Sequence, residues 1–200
     1  MASGAPAPLE FGFEEFPGVA LYIWLFEDVS NASSARASIV GGSFPLDCAV
    51  ADASTAPFLF PLRLAARQAL AARRDGRMFA RTLHAETLVR LSAGRNISEG
   101  LRRFGLGADS SAVAVGALAR REGTDPAFSD LLPTDEVLAA ATAVAEALGG
   151  TAAPPDELAA RLEARADVPR LTKVYKVVPE ELRIGTLEEA ILCRMAQMDL

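Results

Sequence analysis

Val19-Ala20-Leu21-Tyr22-Ile23-Trp24-Leu25-Phe26 is the longest apolar run of the chain, eight residues closed by Glu27. A helix that spans a membrane needs about 20 such residues, so this run is far too short for that role. It is rich in β-branched and aromatic residues and does not alternate with polar ones. That pattern fits a strand covered on both faces. Toward the C-terminus, Asn31 stands at a helix N-cap position before a helix over 32–40, and Gly41-Gly42 stops it. A short second strand follows over 47–51. A helix over 57–74 tolerates Pro61 only in its first turn. A third strand reads over 112–118. Strands interleaved with helices give an α/β class, in a single domain over residues 16–200 with a small mixed sheet flanked by helices.

The remaining segments are mostly helical. Leu83, Leu88 and Leu91 share a helical face within 82–91. Asn96-Ile97-Ser98-Glu99 has the spacing of a capping box and opens a helix to Phe104. Two Ala-rich helices read over 131–148 and 155–166, in an acidic stretch at 122–167. Residues 171–178 fit a helix or a strand. Thr186-Leu187-Glu188-Glu189 is a second capping box, and it starts a C-terminal amphipathic helix with Leu187, Ala190, Ile191 and Met195 on one side. On periodicity alone this side either closes the chain's own core or docks on a partner. Upstream of the first strand, Ala2 to Pro8 is small-residue and Pro-containing, without the basic flank and apolar core of a secretory signal. Residues 1–15 are expected to be a disordered extension.

Composition narrows the function classes. The chain has 200 residues, half of them hydrophobic, and a formal net charge of −6. That is too apolar for a disordered polyelectrolyte and the wrong sign for a uniformly basic nucleic-acid binder. Two cysteines, Cys48 and Cys193, cannot staple a domain of this size and read as free thiols in a reducing compartment. The charge is segregated: residues 63–103 carry ten basic and three acidic groups, against two basic and ten acidic over 122–167. A basic run inside an acidic chain is a candidate anion-binding face, or a solvated face neutralised by acidic neighbours.

Catalytic patterns are missing. There is no GxSxG, no P-loop and no GxGxxG, and the single histidine, His84, has no second imidazole for a His-based metal site. Glu14-Glu15, Glu180-Glu181 and Glu188-Glu189 are adjacent in sequence and therefore point apart. No catalytic, cofactor-binding or metal-ligating set is expected. His84 with Glu86 or Glu99 would be the site of a stand-alone small α/β enzyme, the weakest of the readings. Arg77, Arg81, Arg90, Arg95, Arg102 and Arg103, with the start of the helix at Asn96, suit phosphate instead, because guanidinium donates paired hydrogen bonds.

Three blocks in this order and spacing carry a family resemblance: Arg81-Thr82-Leu83-His84-Ala85-Glu86-Thr87-Leu88, Arg95-Asn96-Ile97-Ser98-Glu99-Gly100-Leu101-Arg102-Arg103-Phe104-Gly105, and Ile184-Gly185-Thr186-Leu187-Glu188-Glu189-Ala190-Ile191-Leu192-Cys193-Arg194-Met195. They resemble the PRPK-binding protein (TPRKB) family, accessory subunits of the EKC/KEOPS complex. The resemblance covers residues 16–120 and 170–200; the stretch 122–167 has no clear counterpart in it. It implies a non-catalytic α/β subunit, without cofactor, of the cytoplasm and nucleus. Such a subunit binds the kinase-like ATPase PRPK, and through it the other EKC/KEOPS subunits. It helps recruit the 3′ CCA end of tRNA for threonylcarbamoyl adenosine (t6A) formation. Carried onto this sequence, the kinase-interface candidates are Leu187, Ala190, Ile191 and Met195. The tRNA-contact candidates are Arg81, His84, Arg95, Asn96, Arg102 and Arg103. A scaffold that binds the kinase without an RNA role is the alternative.

Overall fold

The structure, a computed structural model, describes residues 5–199. The apolar run forms the strand β2 (Val19–Glu27), and every residue from Val19 to Phe26 is buried. It is the hub of an antiparallel sheet. β1 (Leu9–Gly12) pairs with it from Leu9↔Ile23 to Gly12↔Ala20. On its other edge lies β4 (Val113–Arg120), in register from Val19↔Arg120 to Phe26↔Val113. β3 (Ala49–Asp52) lies outside β4, and the two-residue β5 (Thr151–Ala152) pairs with the end of β2. The expected mixed sheet is therefore an antiparallel one. The expectation of a disordered extension over 1–15 is also corrected. Within it, β1 joins the sheet, and the Trp24 Nε1–H donates to the Pro6 carbonyl at 2.9 Å. The first four residues lie outside the described part.

The two faces of β2 belong to two separate cores, because side chains alternate along a strand. Tyr22, Trp24 and Phe26 pack with α1 (Ala32–Gly41) and α5 (Thr134–Leu148). Val19, Leu21, Ile23 and Leu25 pack in the larger core, which draws on α2 (Leu59–Arg74), α3 (Leu83–Leu91), α4 (Ile97–Phe104), α6 (Leu158–Glu163), α7 (Val168–Tyr175) and α9 (Leu187–Ala196). The short α8 (Glu181–Ile184) precedes α9.

Local chemistry explains where the elements stop. α1 ends at Gly42 in the left-handed region (φ 71°), which costs glycine nothing. α5 begins at Thr134 and not at 131, because the residue before Pro133 is pushed to extended backbone. Leu131 and Leu132 instead run beside β4, and the Leu132 carbonyl accepts from the Arg120 N–H at 2.9 Å. Gly150 lies where a Cβ would meet the Glu27 carbonyl at 2.8 Å, so the chain can pass close enough to β2 for β5 to pair. Glu27 then receives Arg161 and Arg165, which fasten α6 to the strand end at 2.7 and 2.5 Å.

Candidate binding surfaces

β3 is shorter than β4, and this leaves part of the β4 edge without a strand partner. β3 reaches only to the Ala49↔Gly116 pair. Just beyond it, His84 of α3 accepts the Leu118 N–H on Nε2 at 3.0 Å. Nε2 is therefore the acceptor and Nδ1 carries the proton. His84 is only 5% exposed: its ring caps a strand edge, and it offers no open surface of the kind the tRNA expectation assumed. Asp47 Oδ1 stands 3.3 Å from Nδ1 but off the N–H axis, and Nδ1 has no aligned hydrogen-bond partner. The imidazole standing 3.3 Å away holds the Asp47 carboxyl below the ordinary carboxylate range.

A cavity of about 270 Å³ opens at this point, beside the first turn of α3. Its lining includes Asp47, Arg73, Arg81, Thr82, His84 and Asp130. Thr82 caps α3 by accepting the Ala85 N–H at 3.2 Å. Glu86, one turn further, is fully buried. Its carboxylate accepts from the backbone N–H of Phe79 and Ala80 at 2.8 and 2.7 Å, and from Arg90 Nε at 2.8 Å. The Arg90 guanidinium lies 4.8 Å from the Phe79 ring centre. This network shapes the loop that leads into α3. Glu86 is tied up in structure and is not available as a base.

The basic run is largely neutralised. Arg67 pairs with Glu15 at 2.6 Å, Arg73 with Asp130 at 2.5 Å, Arg77 with Asp75 at 2.7 Å, and Arg103 with Glu99. Arg102 keeps a loose 3.8 Å approach to Glu99. The Asn96 side chain is spent on capping α4, accepting the Glu99 N–H at 3.0 Å. Arg81 and Arg95 are exposed and have no carboxylate or carbonyl partner among the described residues. The six candidates therefore divide. Arg81, Arg95 and Arg102 have charge to offer an anion, Arg103 and Asn96 are committed locally, and His84 is inside.

The last helix turns its apolar side inward. Ala190, Ile191 and Met195 lie in the larger core at 8%, 1% and 0% exposure, and Gln68 of α2 donates to the Met195 carbonyl at 3.1 Å. Leu187 is half-buried. The expected docking face on Leu187, Ala190, Ile191 and Met195 is thus corrected: amphipathicity here serves the chain's own core. Apolar side chains do reach solvent just before this helix, where Val178, Leu182 and Ile184 are 47%, 39% and 91% exposed. That corner is braced. Arg194 of α9 forks onto both Glu181 carboxylate oxygens at 2.8 and 2.9 Å and also donates to the Tyr175 carbonyl. Tyr175 in turn donates to the Leu91 carbonyl at 2.5 Å and stacks edge-on with Phe104.

Comparison with known proteins adds the decisive observation. The family model described as "Kinase binding protein CGI-121" matches residues 26–199. The chain belongs to the CGI-121 kinase-binding family. The match runs through 122–167, so the acidic stretch is part of the family domain. Among relatives, the EKC/KEOPS complex subunit TPRKB of Danio rerio is 28% identical over 176 residues, 88% of this chain and 89% of its own. The EKC/KEOPS complex subunit CGI121 of Eremothecium gossypii is 34% identical over 138 residues, 66% of this chain and 75% of the relative. The Schizosaccharomyces pombe subunit cgi121 is 29% identical over 100 residues, 50% of this chain and 58% of the relative. The resemblance to the TPRKB family read from the three sequence blocks is therefore confirmed at the level of the family.

Proposed function

We propose that this chain is a non-catalytic subunit of an EKC/KEOPS complex in the cytoplasm and nucleus, where it binds a PRPK-type kinase-like ATPase and supports t6A formation on tRNA. Membership of a kinase-binding family carries this reading, and the named relatives are EKC/KEOPS subunits. The kinase contact is assigned to the braced corner of Val178, Leu182 and Ile184, with the exposed edge of Leu187. An apolar residue as open as Ile184, held on a rigid frame, loses little entropy when a partner covers it. Arg81, Arg95 and Arg102 are assigned to a weak tRNA contact that helps recruit the 3′ end. The neutralisation of the surrounding arginines favours a second reading, a kinase-binding scaffold without an RNA role.

The test is co-elution with the cognate kinase at low and high salt. The wild type forms a salt-resistant complex. Ile184→Asp keeps its melting temperature and loses the complex. Ile191→Arg instead loses its fold, because an unpaired charge in the core is costly. A complex unaffected by Ile184→Asp would overturn the assigned corner, and a wild type that never co-elutes would overturn the kinase reading. For RNA, retention of tRNA should fall steeply with salt and weaken in the Arg95→Ala, Arg102→Ala double variant; no difference from wild type would leave the scaffold reading standing.

A further inference from the structure

The cavity beside α3 is built from groups of both charge signs; the kinase contact uses none of it, and only Arg81 at its rim is shared with the tRNA contact. We propose that it is a binding site for a small aliphatic α-amino acid in its zwitterionic form. Two donors face one side of the ligand. The His84 Nδ1–H is buried and without an aligned acceptor, so a ligand carboxylate placed on its axis would complete it. Arg81 is exposed beside it with no partner among the described residues. Both sit in the opening of α3, whose dipole and first-turn N–H groups favour a carboxylate. Asp47 supplies the complementary negative charge, and its position beside the imidazole suits an ammonium carried on the carbon that bears that carboxylate. The Arg73–Asp130 pair is already closed on itself and forms a neutral part of the wall. Of the remaining lining, Leu83, Leu118 and Leu131 are packed in the larger core, and the exposed Leu132 is the surface against which a short branched side chain rests. The volume of about 270 Å³ falls just under the ~300–1,000 Å³ of pockets for larger ligands.

The chain's single histidine makes the test direct, since its imidazole signals need no assignment by mutation. L-valine is titrated into the full chain, and the ¹H–¹⁵N signals of the imidazole are followed by NMR. The expected result is a saturable shift of Nδ1 at millimolar valine, with Nε2 still in its acceptor state. Isobutylamine, which has no carboxylate, and isobutyrate, which has no ammonium, should each bind at least tenfold more weakly. Arg81→Gln, a change at an exposed and unpaired residue that leaves the fold intact, should weaken valine at least tenfold. Asp47→Asn should remove the preference for valine over isobutyrate. Absence of any shift at 20 mM valine overturns the proposal. So does equal binding of isobutyrate, which would make this a simple anion site. A CCA trinucleotide that shifts the imidazole where valine does not would overturn it in favour of RNA. The kinase co-elution is unaffected by any of these outcomes, so the two readings fail separately.

Discussion

At the scale of single residues, charges in this chain mostly act as fasteners. Glu27 shows how this turns into a pH dependence. Its side chain is 13% exposed and its carboxyl is held below the ordinary range, first by the hydrogen bond from Arg165 and then by that from Arg161, against the opposing effect of burial. A carboxylate whose folded-state value is depressed adds stability above its unfolded value, about 4.5, and loses it as pH falls toward the folded one. Glu27→Gln should therefore melt below wild type at pH 7, and the gap should close as pH drops below 4. Thermal melts from pH 3 to 7 measure it; a gap constant across that range would show that the pairing contributes nothing. His84 illustrates the limit of reading residues in sequence. Its neighbours Arg81 and Glu86 offered it as an RNA contact or as a base. Only the length of β3, a tertiary fact, exposes the Leu118 N–H that the ring covers.

At the scale of elements, what the sequence disclosed follows the reach of its signals. The caps at Asn96 and Thr186 are local and stood in plain view, and both side chains accept the expected backbone N–H; Asn31 stands at the expected N-cap position without a side-chain cap bond, and Thr82 caps α3 where the sequence offered only a helical face. β2 was legible because an unbroken apolar run has few other uses. β1 and β5 were not: four residues of half-buried pattern and two residues after a turn carry too little periodicity, and each is a strand only because β2 offers it an edge. The ambiguity at 171–178 resolves into a helix that starts earlier, at Val168, where Asp167 accepts the Arg170 N–H. The apolar stripe of α9 was visible, but a stripe does not say whose core it enters. The capping box of α9 is reciprocal, with Thr186 and Glu189 each accepting from the other's backbone. Thr186→Ala should cost about 1 kcal/mol of stability by denaturant unfolding. The loss should exceed that if the cap also sets the Glu181–Arg194 brace, and a change of a few tenths would mean the helix end is held by packing alone.

At the scale of the whole molecule, the sheet divides the protein into two cores of unequal size, and the candidate surfaces all lie on the larger side. The kinase corner is next to α9 and the arginines lie around α3 and α4, elements that share the core of Leu83, Phe104, Tyr175 and Ile191. A defect in that core should disturb kinase binding and RNA contact together, while one among Ala32, Val137 and Leu148 should reach them only through the sheet.

The pairing of β2 with β4 also sets an order in time. The most apolar strand is finished by residue 27, yet the edge that covers it begins at Val113. At translation rates of ~5–20 residues per second the nascent chain carries this strand without its β4 partner for about 4–20 s. Synthesis is then the period in which the protein is most exposed to self-association. Ribosome-bound chains halted before residue 112 should recruit chaperones or aggregate, and chains halted some 40 residues past Arg120, once β4 has cleared the exit tunnel, should do so much less. Equal capture of both would show that the helices around β3 shelter the strand before its partner is made.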